Sequence, residues 1–133
     1  MTQDLSIVQF DFDDNYATVV DLIFYNLGLS RAYFAQSYAQ AEKYINEVSR
    51  TKAYPDIVLV DSYLGRGSSD GESIARKLKD LNAKTTIIAY TADDEAKWGD
   101  YLALKSGDGE DSDLIKILEK LTGKAFNYDN AKK

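Results

Sequence analysis

The 133-residue sequence predicts an α/β fold, a doubly wound five-stranded parallel sheet sandwiched by helices. Three observations predict it. Short β-type runs alternate with amphipathic stretches along the whole chain, and strands separated by helices pair in parallel through right-handed crossovers. The run Ile57-Val58-Leu59-Val60 is apolar at every position, as a strand buried on both faces must be. The composition, 44% hydrophobic and 29% charged, supports one core without disulfides.

Each element has its own signal. Leu5 to Phe10 reads as the first strand and runs into the acidic turn Asp11-Phe12-Asp13-Asp14. A helix follows with Tyr16, Val19, Val20, Ile23, Phe24 and Leu27 on one stripe, Asp14 as its N-cap and Gly28 as its stop. Arg31 to Gln36 is a second, weaker strand. Ser37 with Gln40 forms a capping box for a helix carrying Ala41, Tyr44, Ile45 and Val48. Pro55 then punctuates, and the third strand, Ile57 to Val60, is closed by Asp61.

A loop rich in glycine and serine runs from Ser62 to Asp70, where Ser69 and Glu72 make a second capping box. The helix it opens points Ile74, Ala75, Leu78 and Leu81 inward. Thr86 to Tyr90 is the fourth strand, ending at Thr91, and Tyr101 to Leu104 the fifth. Between them, Ala92 to Gly99 leaves room for a helical stub or a loop. The last helix uses Leu114, Ile115, Ile117, Leu118 and Leu121 and ends at Gly123. One domain is expected over residues 1–123, with residues 124–133 a polar tail.

Composition excludes several kinds of chemistry. Without cysteine or histidine there is no thiolate or imidazole metal site, no Ser-His-Asp triad and no histidine phosphodonor. The net charge of −6 and the lack of a segregated basic patch argue against direct nucleic-acid binding. Apolar runs are too short to span a membrane, and Met1-Thr2-Gln3-Asp4 lacks the basic start of a signal peptide. A cytoplasmic location is the expectation.

In doubly wound sheets, functional residues collect at the carboxyl ends of the strands. Here those ends deliver Asp11 and Asp13, then Asp61, Thr91 and Lys105. Carboxylates gathered in a partly desolvated place repel one another and call for a cation. With oxygen donors alone, Mg²⁺, Mn²⁺ or Ca²⁺ is favoured over zinc. A lysine and a hydroxyl opposite them complement the oxygens of a phosphoryl group. Asp61, at the end of the most buried strand, is the natural nucleophile for phosphoryl transfer to a carboxylate.

The ordered set Phe10-Asp11-Phe12-Asp13-Asp14, Ile57-Val58-Leu59-Val60-Asp61, Ser69-Asp70-Gly71, Tyr90-Thr91-Ala92 and Leu104-Lys105 resembles the CheY-like receiver domain of two-component response regulators. The resemblance covers about residues 5–122. It implies a single-domain receiver that accepts a phosphoryl group on Asp61 from a histidine kinase or phosphotransfer protein, with Mg²⁺ (or Mn²⁺) as cofactor. Asp11 with Asp13 or another neighbouring carboxylate, Asp61 and the backbone carbonyl of Tyr63 would hold the metal. Thr91 and Lys105 would engage the phosphoryl oxygens, and the signal would pass to a downstream protein partner. Catalysis of this kind is self-directed phosphotransfer and dephosphorylation rather than that of a conventional enzyme.

The chain departs from that pattern at four places. Phe12 stands where the family usually has a second consecutive acid. Ser106 replaces the proline after the lysine. The span from Thr91 to Lys105 is shorter by roughly two helical turns, so the fourth helix is short or missing. The aromatic expected on the fifth strand falls at Leu102, and the adjacent Tyr101 can take its place only across a bulge. These features define the alternative, a pseudo-receiver that keeps the fold as a protein-interaction module without phosphotransfer. An Asp-x-Asp hydrolase of the haloacid dehalogenase type also matches Asp11-Phe12-Asp13, but leaves Asp61 without a role.

Overall fold

The computed structural model describes residues 5–105 and 111–127. The elements follow the predicted order: β1 (Ile7–Phe10), α1 (Asn15–Leu27), β2 (Tyr33–Ala35), α2 (Tyr38–Thr51), β3 (Ile57–Val60), α3 (Asp70–Leu81), β4 (Thr86–Thr91), β5 (Tyr101–Leu104) and α4 (Ser112–Thr122). All five strands are parallel, in the order β2-β1-β3-β4-β5. The order reverses between β1 and β3, and a crevice opens at the carboxyl ends of those two strands.

Strand alternation divides the core. Ile7, Leu59, Ile88, Tyr90 and Ala103 face α1 and α4, while Val8, Phe10, Val58, Val60 and Ile87 face α2 and α3. Buried Gln9 ties the first side down. Its amide donates to the Tyr16 carbonyl and accepts from Arg31, pinning the first turn of α1 to β1.

Two predicted caps work differently from the sequence reading. Asp14 occupies the N-cap of α1 with helical backbone and no side-chain hydrogen bond; Asp13 Oδ1 accepts the Asn15 N–H instead, at 3.0 Å. Ser69 likewise caps nothing with its side chain. The acid one residue on, Asp70, turns its Oδ2 back onto the N–H groups of Leu64, Arg66 and Gly67 at 2.9–3.0 Å, and Glu72 pairs with Arg76. The Ser37 cap forms as expected, with Ser37 Oγ accepting the Gln40 N–H. The Gln40 side chain reaches one residue further back, to the Gln36 N–H.

Residues 92–100 contain turns but no helix. Trp98 packs on the α2/α3 side of the core in the space a helix would cover. Asp100 closes this loop by accepting the Ile87 N–H at 2.8 Å and pairing with Lys79 at 2.7 Å. Past Gly123 the chain turns back onto the domain: Phe126 packs against the α1/α4 side and the Asn127 N–H reaches the Asn26 carbonyl. Among the described residues no helix is long and apolar enough to cross a membrane.

Candidate functional site

Register assembles the site. Phe10 pairs with Val60, and the Asp61 N–H donates to the Phe10 carbonyl, so Asp11 and Asp61 leave adjacent strands side by side. Thr91 pairs with Leu104 and its carbonyl accepts the Lys105 N–H, which sends Lys105 back across the strand ends. Lys105 Nζ lies 2.8 Å from Asp11 Oδ2 and 3.1 Å from Asp61 Oδ2. The Tyr16 ring lies beneath the ammonium at 4.0 Å and the Tyr90 ring at 5.4 Å, the two rings meeting edge to face. Lysine is thus held by two charges and two aromatic faces.

Burial sets the electrostatics. Asp11 is 1% exposed. Desolvation pushes its pKa up to about 6, against the opposing pull of Lys105, and the Asp61 charge adds to the rise. Burial acts on Lys105 in the other direction, but the charges and hydrogen bonds of Asp11 and Asp61 outweigh it and hold the ammonium above its ordinary value. Tyr90 is raised, first by burial and then by the charge and hydrogen bond of Asp111. Two carboxylates against one ammonium leave a surplus negative charge.

The remaining predicted residues are placed unequally. Asp61, with a side chain 15% exposed, opens into a cleft of about 350 Å³ whose lining includes Phe12, Tyr16, Tyr63, Thr91 and Lys105. Asp13 also lines the cleft, but its carboxylate is exposed and occupied with Asn15. Among the described residues no three acids converge as metal ligands. Thr91 is buried, and its hydroxyl meets that of Ser62 at 2.9 Å rather than Asp61. Tyr63 is half exposed, its ring edge to face with Phe12 at 5.0 Å. The carbonyls on either side of it are engaged, Ser62 by the Gly71 N–H and Leu64 by the Tyr38 N–H. Ser106 lies outside the described residues. Tyr101 enters β5 in unbroken register, without a bulge, and packs on the α1/α4 side with the Lys120 ammonium over its ring.

The donor chemistry fits a hard divalent cation. Asp11, Asp61 and the Tyr63 carbonyl are oxygen donors, and the negative charge that two carboxylates leave beside one ammonium is what such an ion offsets. The Phe12 side chain supplies no oxygen.

Four participants escaped the sequence reading. Tyr16 reads as one member of an apolar helical stripe and Tyr90 as the end of the fourth strand. Ser62 pairs with Thr91 only because Val60 stands opposite Ala89, which puts each two residues beyond a matched pair. Asp70, which fixes the loop carrying Tyr63, was masked by the Ser69–Glu72 pattern. Aligning the strand ends would have found Ser62; nothing in spacing alone finds the two rings.

No protein-family model and no curated relative matches the sequence. Solved structures do. The chain superposes on the CheY of the CheX–CheY–BeF₃–Mg²⁺ complex from Borrelia burgdorferi with a TM-score of 0.71 at 13% identity, covering 88% of each chain. The response regulator TrrA from Thermotoga maritima, in complex with Mg²⁺-BeF, gives 0.69 at 19% identity over 88% of this chain and 98% of that one. A signal receiver domain of a DNA-binding response regulator from Colwellia psychrerythraea gives 0.67 at 20% identity, covering 90% and 99%. The chain therefore has the fold of response-regulator receiver domains, with the helix between β4 and β5 replaced by a loop.

Proposed function

We infer that this domain is a receiver that accepts a phosphoryl group on Asp61 from a phosphohistidine of a histidine kinase or phosphotransfer protein. The observation that carries this reading is Lys105, 3.1 Å from Asp61 and 2.8 Å from Asp11 at the mouth of an open cleft. In the transfer, an Asp61 carboxylate oxygen bonds to phosphorus, the P–N bond breaks, and the imidazole leaves. Lys105 is placed to follow the charge from the carboxylate to the phosphoryl oxygens. Asp11, Asp61 and the Tyr63 carbonyl would hold Mg²⁺ or Mn²⁺, which when bound supplies further neutralisation of the phosphoryl charge. The signal would leave through contacts with a protein partner; the CheY of the Borrelia burgdorferi structure is itself in complex with another protein, CheX.

A second reading, a pseudo-receiver without phosphotransfer, is favoured by Phe12, which lies 45% exposed at the mouth against Tyr63 where an acid would serve the metal. One experiment separates the two. The chain and its Asp61→Asn variant are incubated with acetyl phosphate, with and without Mg²⁺, beside an active receiver, and their intact masses recorded. A Mg²⁺-dependent single phosphoryl adduct, absent from the variant, is expected. No adduct beside a phosphorylated control would establish the pseudo-receiver.

A further inference from the structure

Thr91 is committed away from Asp61 in this structure. Its Oγ1 accepts the Asp93 N–H at 3.2 Å and lies 2.9 Å from Ser62 Oγ. A hydroxyl has one proton to give. The Asp93 N–H is itself a donor, so of these two partners only Ser62 Oγ can take the Thr91 proton, and either hydroxyl can be the donor of the bond between them. Thr91 is 2% exposed and Ser62 7%, so water competes little for that proton. The two residues share the parity of Val60 and Ala89, the α3 side of the sheet. Asp11, Asp61 and Lys105 share the opposite parity.

We propose that Ser62 is a positioning residue, a latch that holds the Thr91 hydroxyl in its resting direction until a phosphoryl group on Asp61 draws it out. The inference rests on the reading of Asp61 as phosphoacceptor. Thr91 and Ser62 stand on the side of the sheet opposite Asp61, so the Thr91 hydroxyl reaches a phosphoryl group there only by turning away from Ser62, whichever of the two hydroxyls donates. The latch therefore sets part of the free-energy gap between resting and phosphorylated arrangements. Removing the Ser62 hydroxyl takes a buried hydrogen-bond partner from Thr91 in the resting arrangement alone, which raises that arrangement and favours the other.

The test is a double-mutant cycle on the full chain with beryllofluoride, a phosphoryl mimic, in the presence of Mg²⁺. Affinities of the unsubstituted protein, Ser62→Ala, Thr91→Val and the double variant are read by ¹⁹F NMR of the bound fluorides. Trp98 is a second reporter, since its Cζ2 and the Ser62 Cα lie 2.8 and 2.9 Å from the point where a Cβ on Gly71 would stand. Ser62→Ala is expected to bind about three- to tenfold more tightly than the unsubstituted protein. In the Thr91→Val background the same substitution is expected to change nothing. Unchanged or weaker binding by Ser62→Ala overturns the latch alone, as does an equal gain in the Thr91→Val background. If the unsubstituted protein neither binds beryllofluoride nor takes up a phosphoryl group from acetyl phosphate, the phosphoacceptor reading fails and the latch falls with it.

Discussion

Asp11 carries the prediction with the largest worked magnitude. Its pKa rises from the ordinary 3.8 to about 6 because burial penalises the carboxylate more than Lys105 relieves it. The folded protein therefore holds a proton on Asp11 between about pH 4 and 6 that the unfolded chain has already released. Wherever the native state binds more protons, stability falls as pH rises. The contribution is fully present below the unfolded value of 3.8 and is lost as the pH passes about 6. The pKa difference corresponds to about 3 kcal/mol.

Asp11→Asn removes the titration but not the shape. Its single amide oxygen must choose between the Asp13 N–H, which Asp11 Oδ1 accepts at 3.0 Å, and Lys105, so about 1–2 kcal/mol of hydrogen bonding is given back at every pH. Urea unfolding of both proteins in EDTA, from pH 4 to 8, isolates the group, because every other titration largely cancels in the difference. The variant is expected to be less stable than the unsubstituted protein near pH 4 and more stable by about 1–2 kcal/mol at pH 7, crossing in between. A flat difference profile would refute the argument that Asp11 is under-compensated, and a profile of opposite slope would mean that Lys105 outweighs burial.

Two further substitutions test the loop that presents Asp61. A Cβ on Gly71 would stand 2.3 Å from the Asp61 carbonyl oxygen and 2.9 Å from the Ser62 Cα, both backbone, so Gly71→Ala should cost about 2–3 kcal/mol and shift Trp98 emission. An unchanged urea midpoint would contradict that packing. Asp70→Ala strips one acceptor from three backbone N–H groups and should cost about 2–4 kcal/mol by the same assay. Burial opposes ionisation of Asp70, but the donors from Gly67, Arg66 and Leu64 prevail and lower its pKa. Its stabilisation is therefore present above the ordinary value of 3.8 and lost as pH falls below it, and Asp70→Asn should flatten that acid limb.

The degree to which the site was legible in the sequence follows from what each signal depends on. β3 and β5 fall where expected because Pro55 and Asp61 bound one apolar run and the chain reversal before Tyr101 bounds the other. β1 and β2 are shorter than read, since the pairing partners of Leu5 and Arg31 are a matter of register, which no local pattern encodes. Asp61 and Lys105 were legible as strand ends, but their meeting depends on the register of Val60 with Ala89 and of Thr91 with Leu104. Asp13 takes a local role that the strand-end argument does not foresee, because a carboxylate two residues before a helix N-terminal N–H meets that donor locally. Ser69 stays at the N-cap position without a side-chain bond, while Asp70 accepts N–H groups of the preceding loop.

The parity of the strands also explains how a receiver-like sheet can dispense with a helix between β4 and β5. The acids and Lys105 stand on the α1/α4 side, while Thr91, Ser62 and Trp98 stand on the α3 side, and among the described residues no side-chain hydrogen bond joins the two groups. The loop of residues 92–100 is tied at its start by the Asp93 N–H to the Thr91 hydroxyl and at its end by Asp100 to β4 and Lys79. The first tie is a single neutral hydrogen bond; the second combines an ion pair with a backbone bond. Drawing Thr91 toward Asp61 would therefore strain the loop at its Asp93 end while Asp100 stays fixed. Trp98, wedged between Gly71 and the sheet, sits between those two points, so a loop of nine residues occupies the place in which a helix would otherwise move as a rigid body.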